Sequence, residues 1–134
     1  MIKEQILKKK AKEASKRAYC PYSNFQVGAS VITEKGEIFS GCNVENASYG
    51  LTICAERNAI FQAVSAGARN ISGIVIYTSM GKPSMPCGAC RQVIYEFGSK
   101  IEILSFTSKI EIRNSIDNLL PEAFGIQDLD KQAV

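Results

Sequence analysis

Histidine is absent from this 134-residue chain, so the usual proton carrier near neutral pH is missing and proton transfer falls to carboxylates. Long apolar runs are absent too. Nothing approaches the roughly 20 residues of a membrane span, and Met1-Ile2-Lys3-Glu4 does not open like a secretory signal, so a cytoplasmic protein with no membrane partner is expected. A strong excess of one charge sign is absent, the formal net charge being +3. The lysines gather in the first predicted helix (Lys3, Lys8, Lys9, Lys10, Lys12, Lys16), interleaved with Glu4 and Glu13, which reads as a solvated helix face. A single-strand binder would show a basic groove with interleaved aromatics; the sequence has neither, and no nucleic-acid partner is expected. There is no internal repeat, low-complexity stretch or linker, and the length implies one domain over residues 1–134 with a real core.

Cysteine, by contrast, is present five times, and an odd number fits metal-bound thiolates in a reducing compartment better than a disulfide framework. Three of the five fall in two short segments, Thr52-Ile53-Cys54-Ala55-Glu56-Arg57 and Pro86-Cys87-Gly88-Ala89-Cys90-Arg91. Cys87 and Cys90 are three residues apart, so in the first turn of a helix both sulfurs lie on one face. Pro86 and the run after Cys90 place that pair at a helix N-terminus, whose dipole favours thiolate. Cys54 to Ala66 carries the apolar stripe Ala55, Ala59, Ile60, Ala63 and Val64, stopped by Gly67, so Cys54 approaches from a second helix start. Three thiolates leave the fourth position of a zinc tetrahedron open, as in catalytic rather than structural sites.

Around these segments a helix is predicted from about Lys3 to Ala18, burying Ile6, Leu7, Ala11, Ala14 and Ala18. Phe25–Thr33 and Glu37–Cys42 form an antiparallel hairpin about Glu34-Lys35-Gly36. Ile71–Thr78 is a buried central strand and Ile101–Phe106 another. Only Thr107-Ser108 separates the latter from Lys109–Ile112, too little chain for a parallel crossover, so the last two strands should be antiparallel.

Cys-Ala-Glu-Arg followed by Pro-Cys-Gly-Ala-Cys-Arg-Gln resembles the small homotetrameric zinc-dependent cytidine deaminases; the signature of zinc deaminases is His-x-Glu then Pro-Cys-x-x-Cys, with a three-cysteine variant. Here Cys54 stands in the histidine position. Tyr22-Ser23-Asn24-Phe25-Gln26-Val27-Gly28-Ala29, Asn43 to Gly50, and Leu119-Leu120-Pro121-Glu122-Ala123-Phe124 are similar to that family as well. The resemblance implies an α/β fold, three-layer α/β/α with a five-stranded mixed sheet. Relatives that edit tRNA or single-stranded DNA place a helix between their last two strands, for which this chain has no room.

The resemblance also implies roles. Cys54, Cys87 and Cys90 would hold one Zn2+ per chain, and Glu56 would carry a proton from water to ring N3 and on to the leaving amine of cytidine or deoxycytidine. Arg57 would donate hydrogen bonds to the thiolates, offsetting their charge. Asn43 and Glu45 would grip ribose hydroxyls, with Phe25 and Ala55 lining the base pocket. Ala47, Tyr49 and Phe124 would complete a neighbouring subunit's site in a homotetramer. Cys20 and Cys42 match no ligand and read as small apolar side chains. Two alternatives stay within zinc chemistry: a deaminase for a cytosine-bearing antibiotic nucleoside such as blasticidin S, against which Asn43 and Glu45 argue, and a structural zinc module closed by Cys20 or Cys42, which leaves Glu56 without a role.

Overall fold

The computed structural model describes residues 2–129. Five strands, β1 (Val27–Thr33), β2 (Ile38–Cys42), β3 (Ile71–Thr78), β4 (Glu102–Phe106) and β5 (Glu111–Ser115), form one sheet in the order β2-β1-β3-β4-β5. β1 runs antiparallel to both β2 and β3. The β1–β2 turn works because Gly36 takes φ 85° and donates its N–H to the Thr33 carbonyl at 2.9 Å, a backbone state that glycine adopts without steric cost. β3 and β4 are the parallel pair, and a parallel pair needs a crossover; helix α3 (Gly88–Glu96) lies in it.

β4 and β5 pair antiparallel. Their connection is longer than the sequence suggests, because β5 starts at Glu111 rather than Lys109 and runs on to Ser115. The Thr107 N–H reaches the Ile110 carbonyl at 2.8 Å, and its Oγ1 accepts the N–H groups of Lys109 and Ile110. Those bonds use up Lys109 and Ile110 in the turn.

Side-chain alternation along β3 explains the layers. Ile74 and Ile76 join Ala29, Val31 and Ile103 against α2 (Ala55–Ser65) and α3, through Ala55, Ala59, Ile60, Ala63 and Ile94. Val75 and Tyr77 point the other way, with Leu104, onto Leu7 and Ala11 of helix α1 (Ile2–Ser15). A strand buried on both faces reads as an unbroken apolar run, as Ile71–Thr78 does. Two glycines set the layer spacing: a side chain at Gly28 would collide with the Ala11 carbonyl, and one at Gly41 with the Ala59 amide.

α1 differs from its sequence reading. It ends at Ser15, whose hydroxyl donates to the Lys12 carbonyl at 2.7 Å, and Ala18 lies beyond it, half-buried. The helix rests on Leu7, Ala11, Ala14 and Ser15, which leaves Ile6 at the flank, 40% exposed. Among the described residues no helix is long and apolar enough to cross a membrane.

Candidate active site

Both metal segments fold as expected from their local signals. Cys54 is the N-cap of α2 and Cys87 the N-cap of α3; both have extended backbones, and neither side chain is spent on capping. Cys90 sits in the first turn of α3. The three sulfurs lie within 4.8 Å of one another, with Cys54 and Cys87 4.0 Å apart. A tetrahedral zinc with Zn–S bonds of about 2.3 Å has edges of about 3.8 Å, so the spacing suits a shared ion. Cys90 is buried, Cys54 half-buried and Cys87 exposed, so the cluster opens to solvent on the Cys87 side. Neither Cys20 nor Cys42 belongs to the cluster; both are half-buried, and desolvation pushes both thiols up.

The donor chemistry agrees with the spacing. The Cys90 thiol, donating to the Cys54 sulfur, helps pull Cys54 down to about 5, and Arg57 adds to this. Cys90 is correspondingly pushed up, first by that hydrogen bond and then by burial. The Cys54–Cys90 pair by itself therefore favours one thiolate and resists a second; a divalent cation would supply the field that ionises both. Arg57 Nη2 donates to Cys54 Sγ at 3.4 Å, and that contact holds the guanidinium firmly charged. Its Nε is buried with no partner among the described residues, so the arginine keeps a donor in reserve beside the sulfurs. The residues present thus fit a zinc ion.

Glu56, the second residue of α2, is only 6% exposed. Burial pushes its carboxyl up to about 7, and the neighbouring Cys54 charge adds to that. Ala55 is fully buried in the core, main chain included.

The second group of expected site residues gathers around the turn before β1. Residues 43–45 run between two neighbours: Tyr19 N–H donates to the Asn43 carbonyl and Glu45 N–H to the Tyr19 carbonyl, while Val44 and Ile53 exchange both backbone bonds at 2.9 and 3.0 Å. The Val44–Ile53 bridge joins this segment to the residue before Cys54. Asn43 spends its amide on the backbone: Oδ1 accepts from Val27 N–H at 2.9 Å and Nδ2 donates to the Phe25 carbonyl at 2.8 Å. One N–H and one lone pair of that amide stay free for a ligand. The Glu45 carboxylate accepts from the N–H groups of Tyr22 and Ser23 and from the Ser23 hydroxyl, and that hydroxyl is the main reason it titrates below the usual carboxylate value.

Tyr22, Ser23, Glu45, Tyr49 and Thr52 line a cavity of about 280 Å³. A second cavity, of about 460 Å³, lies between the end of α1, β2 and α2 and includes none of the three thiols. Ala47 is exposed, and Tyr49 and Phe124 are 73% and 60% exposed. The segment carrying Phe124 is held to α3 by Gln92 Nε2 on the Phe124 carbonyl at 2.9 Å and Arg91 Nη1 on the Leu119 carbonyl at 3.0 Å. Ser23, Arg91 and Gln92 were not expected at the site; Arg91 and Gln92 follow Cys90 directly and could have been suspected from that proximity alone.

A mixed sheet flanked by helices, with three thiols at two helix starts, is the architecture of an α/β protein with a candidate metal centre. Residues 1–105 match the model of the cytidine and deoxycytidylate deaminase zinc-binding region, and the chain belongs to that family. It is 44% identical to the cytidine deaminase of Sporosarcina psychrophila over 126 residues, 92% of either chain. It is 43% identical to that of Halalkalibacterium halodurans, covering 94% of this chain and 97% of the relative. Among solved structures, the cytidine deaminase of Burkholderia pseudomallei superposes with a TM-score of 0.85 at 46% identity, over 90% of this chain and 98% of the other.

Proposed function

We propose that this chain hydrolyses cytidine and deoxycytidine to uridine and deoxyuridine with release of ammonia. The observation that carries this reading is a buried carboxyl, Glu56, two residues from Cys54 of a three-thiol cluster. Cys54, Cys87 and Cys90 hold one zinc ion, which when bound supplies the Lewis acidity that makes water a nucleophile near neutral pH. Glu56, neither fixed as carboxylate nor as acid, takes a proton from the water that adds at C4. It delivers this proton to ring N3, then takes the proton of the new C4 hydroxyl and passes it to the amine, so that the C4 carbonyl forms as the C4–N bond breaks and ammonia leaves. Arg57 donates to the thiolates and limits the charge they place beside Glu56.

Phe25 stacks on the pyrimidine, with Ala55 behind the base, and Glu45 with the free half of the Asn43 amide takes the sugar hydroxyls. The natural role is pyrimidine salvage in the cytoplasm. The working unit is a homotetramer in which Ala47, Tyr49 and Phe124 close a neighbouring site; the exposed aromatics and the open Cys87 side support this. Zinc-loaded protein should convert cytidine to uridine, followed by absorbance, with one ammonia per turnover. Stoichiometric zinc without any turnover of cytidine or deoxycytidine would overturn the reading.

A further inference from the structure

Ser23, Asn24 and Phe25 form one turn that faces the Glu45 carboxylate. Asn24 takes φ 57°, a left-handed state that asparagine tolerates better than most residues, and its N–H returns to the Cys20 carbonyl at 2.9 Å. That kink points both the Ser23 hydroxyl and two consecutive N–H groups at Glu45. The hydroxyl is oriented from both ends: Phe25 N–H donates to Ser23 Oγ at 3.0 Å, so the serine proton is left to donate to Glu45 Oε2. Glu45 Oε1 accepts from the N–H groups of Tyr22 at 3.0 Å and Ser23 at 3.2 Å.

A carboxylate has about four accepting positions, two on each oxygen. With two taken on Oε1 and one on Oε2, a single position remains, on Oε2. We infer that Ser23 is a positioning residue that fixes Glu45 to accept one sugar hydroxyl and no more, coupling the place of that hydroxyl to the place of Phe25. The inference rests on the nucleoside deaminase reading and deepens it. Its consequence is selectivity: of the two ring hydroxyls of a ribonucleoside, only one is read by this carboxylate.

Removing the serine donor frees Glu45 to swing and restores a second accepting position, whereas the zinc cluster and Glu56 keep their own contacts. Ser23→Ala should therefore raise KM for cytidine about tenfold, the scale of one charge-assisted hydrogen bond, with kcat within about twofold and zinc content unchanged. Ser23→Thr, which keeps the hydroxyl, should restore KM. The decisive readout uses 2′-deoxycytidine and 3′-deoxycytidine as probes: the tenfold penalty should persist with one of them and vanish with the other. Ser23→Cys, nearly the same size and a poor donor, should show the same pattern and answers the question if Ser23→Ala does not fold. An equal penalty on both deoxy substrates would make Ser23 a purely structural residue, and no penalty on cytidine would also overturn the inference. Failure of the wild type to deaminate any of the three nucleosides would instead overturn the functional reading beneath it.

Discussion

Glu56 and Cys20 show how position decides chemistry for residues whose types are ordinary. A surface glutamate has lost its proton at pH 7, whereas Glu56, desolvated at the start of α2, titrates close to it and can both take and return one. Glu56→Gln keeps the shape and loses the proton traffic, so turnover should fall by about 10²–10⁴-fold, the usual worth of a general acid–base, with zinc still bound at one per chain. Near-normal turnover would remove Glu56 from proton transfer, and lost zinc would make it a ligand. The five thiols should divide in the same way. Cys54→Ala, Cys87→Ala and Cys90→Ala should each deplete zinc severely, because their sulfurs share one 4.8 Å cluster, while Cys20→Ser and Cys42→Ser should retain it. A zinc-free Cys42→Ser protein would point to a closed four-thiolate site.

Elements whose signals are local are legible in the sequence. Cys54 and Cys87 read as helix starts from Pro86, the apolar stripe behind Cys54 and the three-residue spacing of Cys87 and Cys90, all of which act within a turn or two. What depends on distant chain was not legible. Ser23 meets Glu45 across 22 residues, and the Asn43 amide goes to the backbone at residues 25 and 27, a pairing that composition does not encode. Periodicity likewise offered Ile6 and Leu7 alike to the core, and the line of contact with β3 and β4 selects Leu7. The tie between α1 and the edge strand β5 belongs to this same long-range class. Arg113 bridges Glu4 in bidentate fashion at 2.7 and 3.0 Å and reaches Glu111 at 2.8 Å, which Lys8 also contacts at 2.8 Å. The Arg113 hydrogen bond holds Glu4 below its ordinary 4.5, and Lys8 and then Arg113 hold Glu111 below the same value. A depressed carboxyl stabilises the fold above its ordinary value and loses that contribution as pH falls through its folded value. Arg113→Ala should thus lower Tm modestly at pH 7, and the gap should close as the pH is taken below 4.5 and as salt is raised. A gap independent of both would assign the effect to packing of the arginine stem.

At the scale of the whole molecule the proposed site is open to solvent in one chain. Pockets that bury most of a small ligand usually span several hundred cubic ångströms, whereas Cys87 is exposed and the cavity at Glu45 is about 280 Å³ with Tyr49 on its rim. Tyr49, Leu51, Phe124 and Ile126 are each at least 60% exposed, apolar area that a neighbouring copy could cover. Arg91 and Gln92 hold the Phe124 segment to α3, the helix that also carries Cys90, so an aromatic presented outward there is held in place rather than left loose. Supplied by neighbouring copies, such aromatics would wall off the nucleoside in the proposed assembly. The protein should then sediment as a tetramer at assay concentration. Phe124→Ala should raise KM for cytidine with zinc content unchanged, since the substitution removes a wall and touches no thiol. A monomer with full activity would show that one chain encloses the nucleoside unaided, and the thiol cluster with Glu56 would remain as its reactive centre.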